Sequence, residues 1–257
     1  MYPYPILFGL NLYDIALAIA VITAMLLCDK LMAKRNFSIP LQKLVIVAIL
    51  LCVVLGFGSA VLFQAFYNYL AKGEFTISGM TFYGGFIGGA LVFSLVWFIG
   101  GKIFLKGEIQ GEEKKKFFDM LDIAACCMPL AHAIGRIGCF FAGCCHGAET
   151  DAWYGVQMNT LEGIKTVVPV QLFEASFLFL LSAILLWLFI KKPNRIPLMP
   201  SYCGCYGIWR FCIEFFRGDY RGNSPIEFLS PSQFIALLLL IISIIYFTVW
   251  RLKKKKS

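Results

Sequence analysis

Hydrophobic residues are gathered into seven long runs, and short polar or basic segments separate them. A helix needs about 20 residues to cross roughly 30 Å of hydrocarbon, because each residue adds about 1.5 Å. The runs have this length, so we predict seven transmembrane helices, over residues 10–28, 44–66, 80–100, 120–140, 170–190, 198–216 and 231–250. The pattern indicates an all-α integral membrane protein in which residues 1–257 form a single polytopic membrane domain.

Basic residues lie mainly in alternate loops between these predicted helices. Of the 23 lysines and arginines, 17 fall on one side of the predicted membrane. They are Lys30, Lys34, Arg35, Lys43, Lys102, Lys106, Lys114, Lys115, Lys116, Lys191, Lys192, Arg195, Arg251, Lys253, Lys254, Lys255 and Lys256. Cytoplasmic loops carry an excess of Lys and Arg. We therefore expect the N-terminus outside and the C-terminus in the cytoplasm.

Composition agrees with a membrane protein. The chain is 60% hydrophobic and 15% charged, with a mean hydropathy of +0.77, whereas soluble domains are about 25% charged. The net charge of +8 does not indicate nucleic-acid binding, because the lysines lie in short loops rather than on one basic face. The first ten residues lack the charged start and cleavage site of a removable signal peptide.

Two arginines are out of place inside predicted membrane helices. A charge at bilayer depth costs about 2.5–3.5 kcal/mol on insertion scales, so such residues usually face the protein interior. Arg210, Glu214 and Arg217 are spaced four and three apart, which predicts one helical face. This row could hold helices together, or it could present an arginine to an anionic ligand with Glu214 orienting it.

Arg136 shows a similar pattern in the fourth predicted helix. It lies between Gly135 and Gly138, and small neighbours allow close approach of a backbone or a lipid headgroup. His132 shares its helical face, either as an interior histidine or as a base. Arginines from two helices near one leaflet would suit the phosphate of a phospholipid.

The third predicted helix carries closely spaced glycines in the stretch "FYGGFIGGA". Gly84 and Gly85 each begin a small-xxx-small pair, which is typical of tight helix packing. A smooth groove for an acyl chain or a headgroup, with Tyr83 at its edge, is the alternative.

Ten cysteines are present, and three of them follow Arg136 closely as Cys139, Cys144 and Cys145. Their spacing is not that of a recognised zinc motif. On the residues alone, structural thiols or a disulfide, a metal site, a redox-active pair and a substrate contact all stay open.

Several ordered blocks of the chain resemble the prolipoprotein diacylglyceryl transferases. The blocks are "GMTFYGGFIGG" (79–89), "GRIGCFFAGCCHG" (135–147), "PVQLFEA" (169–175), "RFCIEFFRGD" (210–219) and Gln233. Members of that family have seven membrane helices and move the diacylglyceryl group of phosphatidylglycerol onto the thiol of a lipobox cysteine. This chain differs from the family at the polar signature positions, where it has Cys139, Ala142 and Cys144, and at Tyr83, where the family has histidine.

The resemblance implies roles for individual residues. Arg136 and Arg210 would clamp the lipid phosphate, and Glu214 would orient Arg210. Tyr83, at the position of the family's histidine, is our own candidate for a part in catalysis. The residues expected to contact substrate are Arg136, Gly84, Gly85, Gly138, Gln171, Glu174 and Arg217.

The resemblance also implies the partners and the location. The expected partners are phosphatidylglycerol, the lipobox of a prolipoprotein signal peptide and membrane lipids. The expected location is a bacterial plasma membrane, which the chain would cross several times. The reaction needs no cofactor, so none is predicted, and no metal ligand is assigned. Three other interpretations are a related transferase with another acceptor, a thiol-redox or metal-handling protein built on Cys139, Cys144 and Cys145, and a transporter.

Overall fold

The structure is a computed structural model that describes residues 9–73, 76–77, 81–160, 163–193, 196–217, 226 and 228–256. Within these ranges the side chains of residues 71, 72, 82, 83, 160, 255 and 256 are not described. The described residues form nine α-helices: α1 (Leu12–Lys34), α2 (Ile39–Lys72), α3 (Phe82–Leu95), α4 (Gly101–Phe104), α5 (Glu112–Lys115), α6 (Phe117–Ala142), α7 (Val170–Lys191), α8 (Leu198–Ile213) and α9 (Pro231–Lys256). A π-helical turn, Val96–Gly100, joins α3 to α4, and two β-strands, β1 (Val156–Thr160) and β2 (Gly163–Val167), follow α6.

Six helices of the described chain are long and apolar enough to cross a membrane. They are α1, α2, the continuous α3–α4 helix, α6, α7 and α9. Large apolar side chains cover much of their outer surface. Soluble proteins rarely expose so large an apolar area to water. The prediction of a helical, multi-pass membrane protein is confirmed. The predicted run at 198–216 corresponds to α8, which has 16 residues and continues as a 3-10 turn, Glu214–Phe216.

The ends of α2 show why its helix is longer than its hydrophobic run. Ser38 is the N-cap, and its hydroxyl accepts a hydrogen bond from the backbone N–H of Leu41 at 3.3 Å. Gly73 ends the helix in the left-handed conformation (φ 73°), and its N–H donates to the carbonyl of Tyr69 at 2.8 Å. These capping hydrogen bonds set the ends of α2, and they lie beyond the hydrophobic run from which the helix was predicted.

The described chain divides into two compact units, residues 27–120 and residues 1–26 with 121–257. In the first unit, α2 and α3 pack through the glycines of α3. A Cβ atom added at Gly84 would lie 2.5 Å from the Cβ of Phe63, and one at Gly85 would lie 3.3 Å from the Cβ of Ala60. Close packing against α2 therefore accounts for both glycines.

Replacing Gly84 with alanine should destabilise this unit. The new Cβ would also lie 3.1 Å from the backbone carbonyl of Ser59, and such overpacking costs about 1–3 kcal/mol. Thermal unfolding of the purified protein in nanodiscs should show a lower midpoint for Gly84→Ala. Gly58→Ala on α2 is the matched control, because a Cβ there meets nothing within 4 Å. Equal midpoints for the two variants would contradict the packing assignment.

The second unit is built on α6, α7, α8 and α9 with the first part of α1. Ser182 on α7 donates a hydrogen bond to the carbonyl of Cys126 on α6 at 3.0 Å. The N–H of Leu198, at the start of α8, donates to the carboxylate of Asp122 at 2.8 Å. These two contacts tie α7 and α8 to α6, and Ser243 on α9 donates to the carbonyl of Pro200 on α8 at 2.8 Å.

A β-hairpin lies between α6 and α7, where the sequence analysis predicted no regular element. β1 and β2 are antiparallel, with Val156 opposite Val167 and Thr160 opposite Gly163. Met158 and Val167 are fully buried, so one face of the hairpin packs inward. The backbone of residues 147–150 runs beside β2, with bonds such as Thr150 N–H to the Thr166 carbonyl at 3.0 Å.

Candidate active site

Glu174 is the centre of a buried cluster of charged residues in the second unit. It lies in the first turns of α7, and its side chain has no exposed surface. Arg136 of α6 donates from Nη2 to Glu174 Oε1 at 3.1 Å, and its Nε lies 2.9 Å from Oε2. A buried carboxylate is tolerated only when opposite charges and hydrogen bonds surround it, and Arg136 supplies both.

The same carboxylate is contacted from α8. The hydroxyl of Tyr206 donates to Glu174 Oε1 at 3.0 Å, and Nη1 of Arg210 lies 3.7 Å from Oε2. His132 of α6 approaches as well, with its Nε2 3.7 Å from Oε1. Two arginines from different helices therefore share one buried glutamate.

Arg210 also pairs with a second glutamate at the end of α8. Its Nη2 lies 2.8 Å from Oε2 of Glu214, four residues later, and donates to the hydroxyl of Ser232 at 2.8 Å. Both side chains of this pair are less than a tenth exposed. Positive and negative groups thus alternate in the order Arg136, Glu174, Arg210, Glu214.

The start of α9 completes the surroundings of Glu214. Ser230 and Gln233 form a capping box, in which the backbone N–H of each residue donates to the side chain of the other, at 3.0 and 3.1 Å. The Ser230 hydroxyl then donates to Glu214 Oε1 at 2.9 Å. The capping serine of α9 therefore positions the carboxylate of Glu214, which in turn binds Arg210.

Arg217 does not share a helical face with Arg210 and Glu214, contrary to what its spacing predicts. The α-helix ends at Ile213, and after the 3-10 turn the Arg217 backbone is extended. Its Nη2 donates to the backbone carbonyl of Cys145 at 3.0 Å. Arg217 thus binds the turn that follows α6.

The turn after α6 is also bound by α7. The side-chain amide of Gln171 donates to the carbonyl of Cys144 at 2.6 Å, and Gln171 is almost fully buried. Hydrogen bonds from the thiols of Cys139 and Cys144, with the charges of Arg136 and Arg217, hold the pKa of the Cys145 thiol below its ordinary value. The three cysteines therefore lie beside the arginines of the site.

The other candidate residues lie elsewhere or perform a packing role. A Cβ atom at Gly138 would lie 2.9 Å from the Cβ of Ala16, so this glycine allows α6 to approach α1. Gly84 and Gly85 pack against α2 in the unit formed by residues 27–120. The side chain of Tyr83 lies outside the described part of the chain. Substrate-binding or catalytic roles for these four residues stay predictions.

Three residues that bind the charged cluster were not predicted from the sequence. They are Tyr206, Ser230 and Ser232, which bind Glu174, Glu214 and Arg210 respectively. Tyr206 precedes Arg210 by four residues, so helical spacing could have placed it on the same face. The sequence Ser-Pro-Ser-Gln at 230–233 carries the capping-box pattern with proline at the first helical position. That pattern predicts the start of α9, although it does not predict the contact with Glu214.

The two arginines of the cluster have the chemistry of an anion-binding site. The side chain of Arg136 is 15% exposed, so it is open to a ligand at its outer edge. Nη1 of Arg210 is buried without a hydrogen bond in the described part of the chain. Guanidinium groups bind phosphate oxygens well, and glutamates fix both arginines in place.

Comparison with known proteins gives one consistent result. The family model described as prolipoprotein diacylglyceryl transferase matches residues 5–249. A phosphatidylglycerol–prolipoprotein diacylglyceryl transferase of Clostridium tetani is 33% identical over 261 residues, which is 97% of each chain. A transferase of the same name, numbered 2, from Clostridium perfringens is 33% identical over 70% of this chain and 66% of its own. One from Pseudomonas putida is 31% identical over 61% of this chain and 56% of its own.

Proposed function

The chain belongs to the prolipoprotein diacylglyceryl transferase family, and we propose that it moves the diacylglyceryl group of phosphatidylglycerol to the thiol of a lipobox cysteine in a prolipoprotein. The observation that supports this most directly is the shared contact of Arg136 and Arg210 with the buried carboxylate of Glu174. The Glu174 carboxylate holds two arginines in position to bind a phosphate. The relatives of this chain are named for a phospholipid donor, phosphatidylglycerol.

In the proposed reaction the acceptor sulfur attacks the glycerol carbon that carries the phosphate. A C–S bond forms and the C–O bond to phosphate breaks, with its electron pair leaving on glycerol phosphate. Arg136 and Arg210 bind that phosphate and stabilise the charge that develops on it. Glu214 and Glu174 hold the two guanidinium groups, so that little reorganisation is needed when the bond breaks.

The thiol proton must be transferred to a base. The sequence predicts a part in catalysis for Tyr83, and its ordinary pKa near 10 means that it would need a nearby positive charge to ionise at neutral pH. Gln171, Arg217 and Gly138 are proposed to shape the lipid-binding surface. Gln171 and Arg217 would act by fixing the turn at Cys144 and Cys145.

For topology, we propose that α8 is the seventh span and that residues 1–257 form one membrane domain. With about 1.5 Å per residue, 16 residues of α8 reach roughly 24 Å, and the 3-10 turn lengthens this. Seven spans place the N-terminus outside and the lysine-rich C-terminus inside, in agreement with the distribution of basic residues. The membrane would be the bacterial plasma membrane.

A transfer assay tests the proposed activity. The full-length protein, in vesicles that contain phosphatidylglycerol labelled in its acyl chains, should label a lipobox peptide and release glycerol phosphate in equal amounts. The same peptide with serine in place of cysteine should stay unlabelled, because the hydroxyl is a far weaker nucleophile than a thiolate. Folded protein that labels small thiols but not the peptide would show a different acceptor, and no labelling of any thiol would refute the transferase assignment.

A further inference from the structure

Three cysteine side chains come together just after α6. The sulfur atoms of Cys139, Cys144 and Cys145 all lie within 4.8 Å of one another. All three are free thiols in the structure. Sulfurs that share one tetrahedral zinc ion, at about 2.3 Å each, lie about 3.8 Å apart, so small side-chain rotations bring these three to that separation.

The end of α6 explains how residues five apart in sequence meet. The N–H of Cys144 donates to the carbonyl of Cys139, and the N–H of Gly143 donates to that of Phe140, both at 3.2 Å. With Gly143 in the left-handed conformation (φ 70°), these are the two bonds of a Schellman motif. The motif folds Cys144 back over the last turn of the helix, beside Cys139.

Cys145 joins them through an uncommon backbone conformation. Its φ is 60°, in the left-handed region that costs a residue other than glycine about 1–3 kcal/mol unless its surroundings impose it. Those surroundings are visible: Gln171 binds the carbonyl of Cys144 and Arg217 binds the carbonyl of Cys145. Both of these bonds go to the backbone, and the Cys144 thiol adds a weak hydrogen bond to the carbonyl of Cys139 at 3.7 Å.

Two arginines lie on either side of the three cysteines. Arg136 precedes Cys139 by three residues on α6, which puts it on the same helical face. Arg217 reaches the turn from the other side. Three thiolates with a divalent ion carry a net charge of about −1, which the guanidinium group of Arg217 at the turn offsets, whereas Arg136 is already paired with Glu174.

We propose that Cys139, Cys144 and Cys145 bind one zinc ion through three thiolates. Soft thiolate ligands select zinc over magnesium, calcium or manganese. On binding, each thiol loses its proton to solvent and forms a Zn–S bond, and no oxidant is consumed. Three protein ligands leave the fourth position of a tetrahedral ion for water or for a donor from outside the chain. The proposal is independent of the transferase function.

A disulfide explains the cluster less well. Only two of the three sulfurs can join, so one thiol would be left in contact with the bond. Cys144 and Cys145 are adjacent, which is an unfavourable geometry for pairing with each other. A metal ion uses all three sulfurs at once.

Zinc titration of the purified full-length protein in nanodiscs tests the proposal. After reduction and removal of metal with a chelator, the wild type should bind one zinc ion per chain and release protons as it does so. Cys144→Ser should weaken binding by about 100-fold or more, because even substitutions in the outer shell of a metal site cost about 10- to 100-fold. Cys205→Ser is the matched control, an exposed cysteine on α8, and should bind zinc like the wild type.

Thiol labelling of the wild type provides a second measurement that needs no variant. Zinc should protect these three cysteines, identified by mass spectrometry of the labelled peptides, and should leave the extent of Cys205 labelling unchanged. Equal zinc affinity in the wild type and in folded Cys144→Ser would overturn the proposal. Labelling of Cys139, Cys144 and Cys145 that zinc does not change would overturn it as well.

Discussion

Replacing Arg136 with lysine should lower kcat/KM for phosphatidylglycerol by about 100-fold or more. Arg136 contacts both oxygens of Glu174, and its exposed edge is proposed to bind the lipid phosphate. Lysine keeps the positive charge but has no planar fork, so it cannot hold both partners in the same geometry. Removal of one well-placed donor to developing charge typically costs about 100- to 1000-fold in rate.

Arg35→Lys is the matched control for this variant. Arg35 also pairs with a carboxylate, Asp119, with the closest atoms at 3.8 Å. It lies in the unit formed by residues 27–120, which does not contain Glu174. Transfer of labelled diacylglyceryl to the lipobox peptide should be near the wild-type rate in Arg35→Lys. A similar loss in both variants, or full activity in folded Arg136→Lys, would contradict a phosphate-binding role for Arg136.

Replacing Glu174 with glutamine should abolish activity and destabilise the protein. The side chain of Glu174 is completely buried, and Arg136, Arg210 and Tyr206 all contact its oxygens. Glutamine removes the charge while both arginines stay, and removal of one partner from a buried ion pair costs about 3–5 kcal/mol. The midpoint of thermal unfolding in nanodiscs should fall sharply.

Glu149→Gln makes the same chemical change at an exposed ion pair. Glu149 pairs with Lys165 of the hairpin at 2.5 Å, and its side chain is 65% exposed. Solvent-exposed pairs contribute little to stability, so its unfolding midpoint should stay close to that of the wild type. If Glu174→Gln unfolds at the wild-type temperature, the negative charge of Glu174 does not stabilise the buried arginines, and this prediction is wrong.

The sequence allowed part of the site to be predicted because helical spacing is local. Arg210 and Glu214 are four residues apart, and in the structure they form an ion pair at 2.8 Å. The same rule failed for Arg217, because it assumes that the α-helix continues. The helix ends at Ile213, and Arg217 then binds the Cys145 carbonyl. Spacing predicts a face only as far as the helix extends.

Contacts between helices could not be predicted in this way. Arg136 and Glu174 are 38 residues apart, and a β-hairpin that the hydrophobic pattern did not predict separates them. The serine hydroxyl that binds Glu214 belongs to the capping box of α9. Such partners depend on how the elements pack, which no local pattern in a single sequence records.

The sequence by itself determined the membrane class, the approximate positions of the long helices and which charged residues interrupt the hydrophobic runs. Hydrophobic run length is a local property, and the cost of placing a charge in hydrocarbon makes each exception visible. Only the tertiary structure decided that Glu174 is the residue shared by both arginines. It also decided that the three cysteines meet, because a Schellman turn and two hydrogen bonds to the backbone, rather than sequence spacing, bring their sulfurs together.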